Sequence, residues 1–100
     1  MGGKVSARFG ADSLGYPDAA VIMPGVVALW ECKDRLTGAA MGQIEAYHML
    51  WPQSVESATY PGVMVTMNLL VARADADNIA IAQAKGINVI VYNPLWYQQS

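Results

Sequence analysis

Charge is scarce in this 100-residue chain. Asp, Glu, Lys and Arg together make up 14% of it, against roughly 25% in an average globular domain. Hydrophobic residues reach 54%, which excludes a disordered segment, because disorder combines low hydrophobicity with high charge. So little charge also leaves part of the surface apolar, and another subunit is expected to cover it. The net charge is −2, so no basic excess marks a nucleic-acid binder by composition, and any such partner must be read from a local site. Cysteine is nearly absent. Cys32 stands alone, which excludes an intrachain disulfide and a cysteine-based zinc cluster and fits a reducing compartment. There is no Gly-rich phosphate loop to support a small-molecule-binding α/β domain. Long apolar runs are missing too: Asp18, Glu31, Arg35, Arg73 and Asp75 interrupt every candidate for the ~20 apolar residues of a membrane span. The start, Met1-Gly2-Gly3-Lys4-Val5, lacks the apolar core of a signal peptide. The expectation is one soluble, cytoplasmic domain over residues 1–100 with no membrane partner, since single domains most often run about 100–150 residues.

What is present reads as alternating strands and helices. Residues 4–9 can form a short strand, and 10–16, with Gly10, Asp12, Ser13 and Gly15, a turn. Two apolar runs, 19–23 and 26–33, flank Pro24-Gly25, where Pro presets φ and Gly supplies a left-handed position, so a hairpin joins them. In the second run a period of two puts Val27, Leu29, Glu31 and Lys33 on one face and Val26, Ala28, Trp30 and Cys32 on the other. Both faces are largely apolar, the pattern of a strand inside a sheet covered on both sides. Ala40, Ile44, Tyr47 and Trp51 recur at helical spacing and predict a helix over 37–51, stopped by Pro52. Residues 52–61 read as a loop. A buried strand is predicted over 63–72, then a helix capped by Asp75 or Asp77 and stopped by Gly86. A last strand over 87–92 ends at Asn93-Pro94. An antiparallel start followed by strand–helix–strand crossovers indicates a mixed sheet with packed helices.

Three charged residues interrupt this apolar pattern. In a hairpin turning at Pro24-Gly25, Asp18 lies six residues before Pro24 and Glu31 six after Gly25, so pairing sets them side by side. Lys33, two residues after Glu31, shares its face. Two facing carboxylates repel unless one protonates or a cation joins them. A hard divalent ion answers this, since Mg²⁺ (or Mn²⁺) takes one or two carboxylates, a carbonyl and waters. The backbone carbonyl of Cys32 is placed to be a third ligand. Lys33 can hold or deprotonate a water, or stabilise charge on a phosphate oxygen. Such a set suits metal-assisted hydrolysis of a phosphodiester. Arg35, two residues further on, is the best-placed phosphate contact.

Tyr16-Pro17-Asp18 followed by Glu31-Cys32-Lys33 resembles the PD-(D/E)XK nuclease superfamily, and Gly15 ahead of it particularly resembles the small VRR-NUC nucleases. Arg8-Phe9-Gly10 is similar to what precedes the motif in phage members. Gln43-Ile44-Glu45-Ala46-Tyr47 resembles the Q-x-x-x-Y helix of recombination-type exonucleases. The resemblance implies a restriction-endonuclease-like α/β fold, a mixed β-sheet flanked by helices. It implies catalysis by Asp18, Glu31, Lys33 and Gln43, the last contacting the active-site water or metal shell. Asp18, Glu31 and the Cys32 carbonyl would hold the metal, and Arg35, Tyr47 and Arg8 would meet DNA. The pattern departs from the family where an upstream helix brings a further acid, a place Asp12 could take here.

The expected protein is therefore a Mg²⁺- or Mn²⁺-dependent deoxyribonuclease of DNA repair, recombination or phage DNA processing, comparable to junction resolvases. With few cations to hold DNA, it is expected to act as a homodimer or larger assembly. The rival is a catalytically silent nuclease-fold structural subunit. Taken singly, the residues have plainer readings: Asp18 as a turn residue, Glu31 and Lys33 as a solvated strand end, Gln43 and Tyr47 as helix surface and core. His48 reads as a partly buried helix residue and Cys32 as a small core residue. Trp51, Trp96 and the tail tyrosines suit either a stacking platform for single strands or a subunit contact.

Overall fold

The computed structural model describes residues 4–5 and 17–98. Arg8, Asp12 and the expected turn at 10–16 lie outside the described residues. Five strands form one sheet in chain order: β1 (Lys4–Val5), β2 (Ala19–Met23), β3 (Val26–Arg35), β4 (Met64–Arg73) and β5 (Ile87–Val91). β1, β2 and β3 run antiparallel, whereas β3, β4 and β5 are parallel. The β2–β3 hairpin turns at Pro24-Gly25 as expected, with Gly25 at φ +80°, a value that favours glycine because it has no Cβ.

Helix α1 (Gly38–Leu50) returns the chain from β3 to β4, and α3 (Ala76–Ala84) from β4 to β5. Each starts on a side-chain cap: Thr37 Oγ1 accepts from the Ala40 N–H at 3.1 Å, and Asp75 Oδ1 from the Asn78 N–H at 2.7 Å. Gly86, at φ +78°, stops α3 where a left-handed residue was expected. Residues 52–61 are not the plain loop that the prolines suggested. A 3₁₀ turn (Trp51–Gln53) and a short helix α2 (Val55–Thr59) occupy most of them. Pro52 sits in the first turn of the 3₁₀ segment, where a missing N–H costs nothing, and Ser54 Oγ caps α2 through the Ser57 N–H at 3.1 Å. A further short helix, α4 (Leu95–Gln98), follows Pro94 where the sequence suggested only an ending.

One hydrophobic core holds the molecule. Ala20 and Ile22 of β2, Val27 and Leu29 of β3, Leu69 and Val71 of β4 and Ile87 of β5 meet Ala40, Met41, Ile44 and Tyr47 of α1 and Ala82 of α3. The register places all these strand residues on one face. Both crossovers step the same way along the sheet, and right-handed connections then put both helices on the same side. The expected covering of both faces is therefore not seen: among the described residues the opposite face carries no packed core.

Candidate active site

The carboxyl end of β3 carries the charged residues that the apolar pattern singled out. The β2–β3 ladder pairs Ala19 with Trp30, so the next rung sets Asp18 against Glu31, on the helix-covered face. Backbone N–H groups on the facing strands hold both carboxylates in place. The Asp18 N–H donates to Glu31 Oε1 at 3.3 Å, and the Cys32 N–H donates to Asp18 Oδ2 at 2.6 Å. Lys33 Nζ lies 3.4 Å from Glu31 Oε2. Asp18, Glu31 and Lys33 are thus gathered as expected.

Burial makes this group electrostatically tense. Glu31 is only 4% exposed, whereas Asp18 is exposed. Loss of solvent, and then the nearby Asp18 carboxylate, push the Glu31 carboxyl above its ordinary value, against the opposing pull of the Asp18 N–H and Lys33. Partial burial and the Asp18 and Glu31 carboxylates also push the Cys32 thiol up, which lowers its thiolate fraction. Cys32 is exposed, not the small core residue expected, because it points to the face without helices. Its backbone is the part that bears on the site. A strand residue turns its N–H and C=O to the same side, and the Cys32 N–H already points at Asp18. Its carbonyl therefore faces the same edge, beyond the last β2–β3 pair.

The remaining expected site residues make contacts of their own. Gln43 and Tyr47 form their own pair on α1, with Gln43 Nε2 donating to Tyr47 Oη at 2.8 Å. Tyr47 is 1% exposed and part of the core, so its ring serves packing, the plainer of its two readings, and its hydroxyl meets Gln43 beneath the surface. His48 is exposed on the same helix, and Trp51 is buried, leaving Trp96 as the exposed tryptophan of the suggested platform. Arg35 is exposed at the end of β3 and lies in register with Arg73 of β4. Arg73 was missed as a site residue, since the strand was read as ending at Ala72. It is held by Asp34, 3.3 Å away, and sets a second guanidinium beside Arg35 at the same strand ends. Among the described residues, no third Asp, Glu, His or Cys joins Asp18 and Glu31 in a metal-binding cluster.

The class of fold is α/β, a mixed sheet flanked by helices in the restriction-endonuclease-like arrangement. Among solved structures, a repair endonuclease from Pyrococcus abyssi is similar to this chain, with a TM-score of 0.63 and 17% identity. The match covers 94% of this chain and 40% of that one, so the chain spans less than half the length of that endonuclease. At this identity the likeness is one of fold. No protein-family profile matches the chain, and no curated protein is significantly similar. Among the described residues, no helix is long and apolar enough to cross a membrane.

Proposed function

We propose that the chain is a metal-dependent deoxyribonuclease that hydrolyses phosphodiester bonds at the Asp18–Glu31–Lys33 group. The observation that carries the reading is the pair of cross-strand bonds, from the Asp18 N–H to Glu31 and from the Cys32 N–H to Asp18, with Lys33 on the Glu31 carboxylate. Two carboxylates held together, one of them buried, call for a cation. Asp18 Oδ1, Glu31 Oε2 and the Cys32 carbonyl are hard oxygen donors of the kind Mg²⁺ and Mn²⁺ select, leaving room for water ligands. The donor set therefore fits the ion. When bound, it would polarise a phosphoryl oxygen and lower the pKa of a bound water.

The chain's own groups would do the rest. Lys33 Nζ, anchored on Glu31, reaches out from a half-exposed position to orient the attacking water or to donate to a phosphate oxygen as negative charge develops. Gln43 spends its amide N–H on Tyr47, which fixes the side chain and leaves Oε1 as an acceptor for a water. Arg35 and Arg73 supply phosphate contacts, the main source of affinity for DNA. Cleavage of end-labelled duplex, single-stranded, flapped and junction DNA, in Mg²⁺, Mn²⁺ or EDTA, tests the proposal. Metal-dependent cleavage of at least one form supports it. No cleavage of any form in either metal would refute it.

A second reading, a catalytically silent nuclease-fold subunit, is favoured by the pairing of only two acids among the described residues. Mn²⁺ binding separates the two. A catalytic site binds Mn²⁺ and loses it in Glu31→Ala, whereas a silent subunit is indifferent to both.

A further inference from the structure

The sheet face opposite the helices is the largest feature that the nuclease reading leaves unused. Its residues are Ala19 and Val21 of β2, Val26, Ala28, Trp30 and Cys32 of β3, Met64, Thr66, Asn68, Leu70 and Ala72 of β4, and Asn88 and Ile90 of β5, by the ladder register. Parallel strands are almost always covered on both faces. Among the described residues, the three parallel strands show one face to helices and the other only to α4 at one corner, although Ala28, Asn68 and Ala72 on that face are already buried. Among the described residues, the only charge on this face is Asp34, at its end and already paired with Arg73. In a chain with charge on only 14% of its residues, the ionic groups are kept elsewhere.

We propose that this face is the interface between two copies of the chain, packed sheet to sheet. A surface without net charge meets its own copy with no repulsion, and a two-fold axis needs one self-complementary patch. The polar residues within it raise little objection. Asn68 is buried and already satisfied, its amide donating to the Leu29 carbonyl at 3.1 Å and to Thr66 at 3.0 Å while accepting from Asn88 at 3.0 Å.

The dimensions agree. Strands of 5, 10, 10 and 5 residues, at roughly 3.3 Å per residue and about 4.8 Å apart, project an area of roughly 500 Å². That is below the ~800 Å² per partner of a standard-size interface and within the range of a smaller one. The corner cavity of about 460 Å³ between α4 and the ends of β3 and β4, lined by Cys32, Leu70, Ala72, Tyr92 and Trp96, adds apolar surface that a second copy can fill. Trp96 is 69% exposed, an anchor of the type enriched in interface centres.

The full chain is tested by light scattering at micromolar concentration, with circular dichroism as the check on folding. The parent should run at about twice its 10.7 kDa. Met64 and Ile90, at opposite ends of the face, are 64% and 47% exposed in a single copy, so a charge there is tolerated by the fold and buried only in the pair. Met64→Glu and Ile90→Lys should each halve the mass with unchanged secondary structure. Each should also speed alkylation of Cys32, the only thiol, which lies on the same face. Ile81→Lys, on the exposed side of α3, should leave the mass doubled. A parent that runs as a monomer overturns the proposal, as does a dimer that survives either substitution. The outcome is independent of whether the chain cleaves DNA.

Discussion

Replacing Glu31 with Gln should make the metal-free protein more stable and abolish its response to a divalent ion. Glu31 is buried beside Asp18, and burial is the main cause of its raised pKa. Its ion pair with Lys33 spans 3.4 Å, and the lysine side chain is 39% exposed, a setting in which such pairs contribute about 0–1 kcal/mol. Gln keeps an oxygen to accept the Asp18 N–H and removes the charge that burial and Asp18 oppose. Without metal the net effect is a gain in stability, because burial and Asp18 both oppose the charge that Gln lacks. The variant should therefore melt at a higher temperature than the parent in EDTA. The sign with pH follows from the direction of the shift. The folded state holds the Glu31 proton more tightly than the unfolded chain, so stability falls as pH rises from the ordinary carboxylate range through the folded value. The advantage of Gln should therefore grow as pH rises through the folded value and vanish at acid pH, where the parent side chain is also neutral. A divalent ion at ten times its Kd adds about 1.4 kcal/mol to the parent, a gain that the variant should not share. Thermal melts in EDTA and in Mn²⁺ measure this. A Gln variant that melts below the parent in EDTA at neutral pH, or that gains as much from Mn²⁺, would refute the reasoning.

Lys33→Ala should lose about 10²–10⁴-fold in cleavage rate while Mn²⁺ binding, measured by calorimetry, is retained. Lys33→Arg should rescue little, because guanidinium cannot give up a proton; parent-rate cleavage by both variants would remove Lys33 from the mechanism. Tyr47→Phe, which deletes the partner of Gln43 inside the core, should cost about 0.5–1.5 kcal/mol in chemical denaturation, and Tyr47→Ala about 3–5 kcal/mol; similar small costs for both would show that the ring is not a core residue. Asp75→Ala, which removes the cap of α3, should cost about 1 kcal/mol and leave Mn²⁺ binding unchanged.

The pairing of Asp18 and Glu31 was legible because a hairpin converts equal spacing from its turn into a shared rung. Pro24-Gly25 marked the turn, and β2–β3 register does the rest. Lys33 followed from the period of two along β3. That same period could not say which face of a strand is covered. Covering depends on the hand and direction of two crossovers, each set by tertiary packing, so Cys32 was expected inside and is exposed. Tyr47 shows the converse, since helical spacing placed it on the core-facing stripe while a motif resemblance suggested a phosphate contact. The short helices escaped for a local reason. Pro52 and Pro94 read as breaks, yet proline suits the start of a helical turn, and Ser54 supplies the cap that makes α2 possible. Arg73 was lost to a strand boundary drawn one residue early.

The central claim is that Asp18, Glu31 and Lys33 form a metal-dependent phosphodiester-cleaving site. Its most direct test is the rate of Mn²⁺-dependent cleavage of end-labelled DNA by the parent and by Glu31→Gln, side by side at equal concentrations of folded protein. The account predicts cleavage by the parent that EDTA stops, and a loss of activity in the variant of about 10²-fold or more. Equal cleavage by the two proteins, or cleavage by the parent that persists in EDTA, would contradict it.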